Sequence, residues 1–168
     1  MDPEIEQERR FEAERQFARA LGRGRLAPLA ALLRGGGAGL PALEEVRRVL
    51  RPTAERYAGM QTVAVEKIVG SEGRADDFDR AFRPRRRHLA RRWMSVLLAH
   101  LGAVELPAVR LYEIGGVYLV RDGNHRVSVA RHRGVRFLDA EVTSLATDVP
   151  LDPRMSVDDM RRAVLERE

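Results

Sequence analysis

Apolar positions fall at helical spacing up to residue 50, then alternate between strand and helical spacing. Residues 2–21 predict a helix. Asp2 can cap it, Pro3 suits its first turn, and Ala13, Phe17, Ala20 and Leu21 form a narrow apolar stripe. A second helix is expected over 26–33 and a third over 41–50, where Leu43, Val46 and Leu50 share a face opposite Arg47 and Arg48; Pro52 ends it. Gly35-Gly36-Gly37 reads as a flexible break between them. The pattern changes near Gly59. QTVAVEKIV, residues 61–69, alternates and predicts one strand, with Val63 and Val65 on one side and Ala64, Glu66 and Ile68 on the other. Gly70-Ser71-Glu72-Gly73 turns the chain. A polar connection with Asp76, Asp77 and Asp79 around Phe78 leads to Pro84, which is expected to open a helix running to Leu101. Leu89, Trp93, Val96, Leu97 and Leu101 would line its buried face.

Residues 107–114 and 117–121 predict a hairpin, because Gly115-Gly116 can both take positive φ in a two-residue turn. Asp122-Gly123-Asn124 breaks the second strand, and a short helix over 125–133 ends at Gly134. Residues 137–142 alternate as a further strand, and Ser156 with Asp159 marks the capping box of a last helix. The fold class expected is α+β, a small mixed sheet with helices behind a helical extension. The divisions expected are 1–58 for that extension, 59–147 for the main domain and 148–168 for the C-terminal helix. The extension shows no chemistry. It is expected to be dispensable for the fold of the rest and to serve assembly, as a homodimer formed through the N-terminal helices.

Composition narrows the function. The 168 residues are 44% hydrophobic and 33% charged, ordinary for one domain with a modest core. Cysteine is absent, which excludes disulfides, thiolate metal sites and thiol chemistry. No apolar run is long enough to span a bilayer, and the acidic start resembles no signal peptide, so a cytoplasmic location without membrane contact is expected. Lys67 is the only lysine among 30 basic residues, an arginine bias expected of a GC-rich genome. The net charge of +5 is modest, and the basic surplus lies partly in 80–92. Arg85, Arg86, Arg87, Arg91 and Arg92 are compatible with phosphates of a nucleotide or nucleic acid, but a solvated helix face accounts for them equally, and no aromatic platform interleaves them. Asp76, Asp77 and Asp79 read as a solvated connection rather than as metal ligands, and His88, His100 and His132 as structural.

The stretch richest in chemistry is Val117–Gly134, VYLVRDGNHRVSVARHRG. A strand feeding a glycine turn and a helix leaves free N–H groups at the helix start, where the dipole adds positive charge. Gly123 would let a ligand approach the backbone, Asn124 and His125 stand at the helix start, and Arg126 would offer phosphate a planar fork. Asp122 is an acid beside them, suited to a metal or a hydroxyl. The alternative reading is a plain βα turn in which Asp122 or Asn124 caps the helix and His125 is a surface residue.

Asp122-Gly123-Asn124-His125-Arg126 resembles the loop signature of the ParB/sulfiredoxin-like superfamily, in which a strand, G-x-x-R and a helix hold a nucleotide's phosphates. It differs at one position from the D-G-H-H-R of the archaeal free-serine kinases. The order strand, turn, helix, hairpin, loop, helix, strand over 61–145 is similar to that fold. The resemblance implies a nucleotide-binding domain taking ATP or CTP with Mg²⁺, with Gly123, Asn124, His125 and Arg126 at the phosphates and Asp122 at the metal. Val63–Glu72 resembles the kinase segment that carries a hydroxyl-activating glutamate, which implies Glu72 as base and Asp122 as its catalytic partner in an NTPase or small-molecule kinase. Sulfiredoxin activity is excluded by Asn124 in place of the loop cysteine. His125 stands where partition proteins have arginine, so centromere-type DNA binding is not expected. A non-enzymatic, DNA-associated or regulatory protein of the same superfamily is the alternative; a ParB-like nuclease lacks a visible metal site.

Overall fold

The computed structural model describes residues 2–34 and 37–168; Gly35 and Gly36 of the expected glycine break lie outside the described residues. In chain order the elements are α1 (Pro3–Gly24), α2 (Ala27–Arg34), α3 (Leu43–Leu50), β1 (Glu55–Ala64), β2 (Ile68–Ser71), α4 (Ala90–Leu101), β3 (Val109–Ile114), β4 (Val117–Asp122), α5 (Asn124–His132), β5 (Phe137–Leu145) and α6 (Val157–Leu165). The strands form one open sheet in the order β1-β5-β3-β4-β2. The β1–β5 and β3–β4 pairs are antiparallel, and β3–β5 and β2–β4 are parallel. The fold is therefore α+β with a mixed sheet. Among the described residues no helix is long and apolar enough to cross a membrane.

Helices cover both faces of the sheet. In β3, Leu111 joins a core containing Phe17 of α1, Trp93 and Leu97 of α4 and Val127 of α5. Its neighbour Tyr112 points the other way, into a core with Leu43 and Val46 of α3 and Met160 of α6. This is the two-residue strand period turned into layers. The local signals behave as read: Asp2 Oδ1 accepts from Glu4 N at 3.1 Å, Gly115 and Gly116 take φ of 59° and 93°, and Ser156 and Asp159 form a capping box.

Three expectations are corrected. The strand expected over 61–69 is two strands at opposite edges of the sheet. Residues 65–67 form a 3₁₀ turn in which Val65 N donates to Arg136 O at 2.9 Å, and only Glu66 and Lys67 face solvent. Val63, Val65 and Ile68 are all buried, so the apolar pattern runs through the turn unmarked. The helix expected from Pro84 begins at Ala90. Pro84 instead bridges back to Phe78, because Asp79 closes a tight loop by accepting from Ala81 N at 2.9 Å and Arg83 N at 2.8 Å. At the far end of that helix Leu101 is exposed rather than buried.

The third correction concerns the expected boundaries. Gly59 is not a junction: it lies inside β1 at a bulge, with φ of 78°, opposite Val142. Nor is 1–58 set apart from the rest. Ala13, Phe17, Ala20 and Leu21 belong to one core, and Leu43, Val46 and Leu50 to the other. Phe17 and Trp93 rings pack 5.6 Å apart. A Cβ at Gly24 would lie 2.1 Å from Pro84 O, so α1 ends in backbone contact with the loop before α4. From 148–168, Val149, Leu151 and Met160 sit in the second core.

Candidate functional site

Parallel pairing of β2 and β4 brings the candidate residues to one edge of the sheet. Ser71 pairs with Val120, and Glu72 N donates to Val120 O at 2.8 Å. The Glu72 backbone therefore lies beside the end of β4, which runs through Asp122 into Gly123 and α5. The Glu72 side chain is exposed and has no hydrogen-bond or ion-pair partner among the described residues.

Gly123 is the N-cap of α5, with φ of 111°, and offers no side-chain cap. Val127 N is the first in this helix to find an acceptor in it, Gly123 O at 3.0 Å. The N–H groups of Asn124, His125 and Arg126 precede that bond and carry the positive end of the dipole. The space over Gly123 has another use than the one expected. A Cβ there would meet Val109 Cγ1 at 2.7 Å and Arg126 Nε at 3.1 Å, so glycine admits protein rather than a ligand.

Arg126 is likewise committed inward. Its guanidinium donates to the Pro107 and Ala108 carbonyls and, at 3.0 Å, to Asp122 Oδ2, and only 14% of the side chain is exposed. It latches the start of α5 to the strand entering β3. The expected role at phosphate is set against this geometry: three of its five N–H donors are spent on oxygens of the chain itself, and little of the side chain is open to a ligand. Asp122, with its side chain 66% exposed, is the outer member of that pair.

Asn124 and His125 differ. Asn124 Oδ1 and His125 Nδ1 are buried without any hydrogen-bond partner. The His125 ring packs edge-on against Phe78 at 5.5 Å. Burial first, then the nearby charges of Arg74 and Arg92, push its pKa down to about 4, with Asp77 opposing. It is a neutral imidazole at pH 7, not a proton-carrying one. Arg74 pairs with Asp77 at 3.2 Å; Arg92 has no carboxylate within reach among the described residues. Arg74 carried no sequence signal for this site, and Arg92 stood only among the five arginines compatible with phosphate, because both are distant in sequence from the loop. Of the acidic connection, Asp79 is buried in its loop and Asp77 is paired with Arg74, so these two side chains are engaged by the chain itself.

A built metal site does not fit these residues. Among those described no three histidine, aspartate or glutamate side chains come together in a metal-holding group, and Asp122 is tied to Arg126. The arrangement supplies an uncapped helix start, two cations beside it and two unsatisfied buried polar atoms. Chemically it can accept an anion and offer one acceptor, Asn124 Oδ1, to a donor group. A scan against protein-family models, a search of curated proteins and a search of solved structures each return no match to this chain.

Proposed function

We propose that this protein is a nucleotide-binding module of the ParB/sulfiredoxin-like type that holds phosphates at the start of α5. The observation that carries the reading is the uncapped α5 N-terminus, with the charges of Arg74 and Arg92 felt at His125 in its first turn; the orphaned Asn124 Oδ1 is left to accept from a donor group of the ligand. The strand–glycine–helix setting of Asp122–Arg126 supports the family reading. The phosphate ligands in this proposal are backbone N–H groups of 124–126 with Arg74 and Arg92, while Gly123 and Arg126 shape the turn. ATP or CTP is the ligand class, with Mg²⁺ carried by the triphosphate's own oxygens. Phosphoryl transfer in an NTPase or small-molecule kinase is the further step, and it rests on Glu72 as base beside the end of β4. Such a protein works in the cytoplasm, where triphosphates are. Self-association through the N-terminal helices belongs to the same proposal, supported by Leu29, Leu32 and Leu33 standing exposed on one face of α2.

The test is thermal unfolding of the full chain with ATP, CTP and GTP, with and without Mg²⁺. A ligand that binds only the folded state raises stability, by about 2.7 kcal/mol at a hundred times its Kd. Arg92→Ala is expected to weaken the response tenfold or more without changing the ligand-free midpoint. The absence of a shift with any triphosphate would overturn the proposal. Glu72→Gln should keep binding and, if there is turnover, lower it by about a hundredfold.

A further inference from the structure

A polar concavity lies at the other end of α5. Nine residues of helix separate the two ends by about 12 Å at 1.5 Å per residue. The cleft holds about 570 Å³ and is walled by α1, by the loop before α4 and by the last turn of α5. Five arginines line it, Arg19, Arg23, Arg83, Arg131 and Arg133, against the single carboxylate of Glu12. The chain as a whole is nearly balanced, with 30 basic residues to 25 acidic ones, so this lining is a segregation and not an average.

The charges are only partly compensated. Glu12 is engaged by Arg15 at 2.6 Å and reaches Arg19 only at 3.6 Å. Arg83 lies 3.8 Å from Asp79, whose carboxylate already accepts two backbone N–H groups. Arg131 donates only to the carbonyls of Arg80 and Glu66. Arg23 and Arg133 have no carboxylate within 4 Å among the described residues. His132 bridges the walls, 2.9 Å from Gln16 Oε1, and its pKa is lowered by burial and then by Arg133, Arg19 and Arg23. Three of the five cations thus act on this one ring. Trp93 and Phe82 form the floor, both fully buried, so they give no stacking surface and a ligand here is held by charge.

We propose that the α1–α5 cleft binds a small molecule bearing two or more phosphate groups, at a site separate from the start of α5. Its volume is that of a small-ligand pocket. Three walls around a closed floor suit a compact anion better than the extended backbone of a nucleic acid. Like charges held together repel, and a polyanion relieves that repulsion; low-dielectric walls strengthen the attraction.

Trp93 is the only tryptophan, so its emission reports on this floor. The full chain is titrated with inorganic tripolyphosphate while Trp93 emission and the thermal midpoint are followed. A saturable change in Trp93 emission is expected, with a raised midpoint. Arg23→Ala with Arg133→Ala should weaken binding tenfold or more. The ligand-free midpoint should stay level or rise, since repulsion is removed; a purely structural pair of arginines would lower it. Arg92→Ala, at the opposite end of α5, should leave the affinity read by Trp93 emission within twofold, which separates this site from the nucleotide proposal. No saturable response, undiminished affinity in the double variant, or binding of duplex oligonucleotide that tripolyphosphate does not displace would overturn the inference.

Discussion

Truncating Arg126 separates a scaffold arginine from a ligand-binding one. A solvent-facing phosphate ligand could be removed with little effect on folding. The geometry here demands the opposite. Arg126 reaches back over Gly123, donates to the Pro107 and Ala108 carbonyls and pairs with Asp122, with 14% of its side chain exposed. A hydrogen bond to a charged group contributes about 1.5–3 kcal/mol, and Arg126→Ala removes two to carbonyls. Pro107 is exposed and Ala108 half-buried, so both carbonyls regain some water in the variant. The Asp122 pair, 66% exposed on the acid side, adds less than about 1 kcal/mol. Some buried stem is lost as well. The expected loss is about 2–4 kcal/mol. Urea unfolding followed by Trp93 emission measures it, as a lower midpoint at unchanged slope. Arg126→Lys should recover only part, because lysine keeps the charge and loses the fork. A loss under about 0.5 kcal/mol for Arg126→Ala would refute the latch and return Arg126 to the list of ligand contacts.

Two further outcomes follow from the same packing. His125, with a folded pKa of about 4 against about 6.5 unfolded, is protonated first in the unfolded chain as pH falls. Its contribution is therefore constant above about pH 7, declines from about 6.5 to 4, and totals about 2 kcal/mol once partial exposure is discounted. His125→Gln should flatten that part of the stability–pH curve; an unchanged slope, or a His125 titration near 6.5 by NMR, contradicts the neutral buried ring. A chain starting at Gln61 should fail to give a cooperative unfolding transition, since it loses α1, α3 and half of β1 from two cores. A cooperative transition in that chain would restore the N-terminal helices as an appendage.

Most element types were legible because their signals are local. Asp2-Pro3, Gly115-Gly116 and Ser156 with Asp159 state their own turn or cap chemistry. The turn at 65–67 was not legible, because it carries no glycine or proline and is flanked by apolar residues that are buried on both sides of it. The start of α4 was misplaced because Pro84 suits a first helical turn by itself, whereas Asp79 holds the loop by bonds that only the folded chain reveals. For the site, spacing marked Gly123–Arg126 correctly as a strand–turn–helix junction. It could not say that Gly123 makes room for Val109 and Arg126, or that Arg74 and Arg92 arrive beside His125 from other elements.

The same limit means that arginine counts along the chain do not locate an anion site. In the run at 85–87, Arg85 donates to the Asp76 carbonyl, while Arg86 and Arg87 are exposed without a carboxylate partner among the described residues. Arg80 and Arg126 likewise spend their guanidinium groups on backbone carbonyls, at Met155 and at Pro107–Ala108. A carbonyl satisfies donors without cancelling charge, so a protein can use arginine as a staple and remain basic. What distinguishes a recognition arginine is then the absence of nearby acid and an opening to solvent, and both depend on tertiary neighbours. Arg23 and Arg133 meet this test, although 110 residues apart in sequence, because α1 crosses the end of α5. The first helix of what composition had set aside as an extension thus completes a basic cleft, and α1 carries both a share of the core and two of that cleft's five arginines.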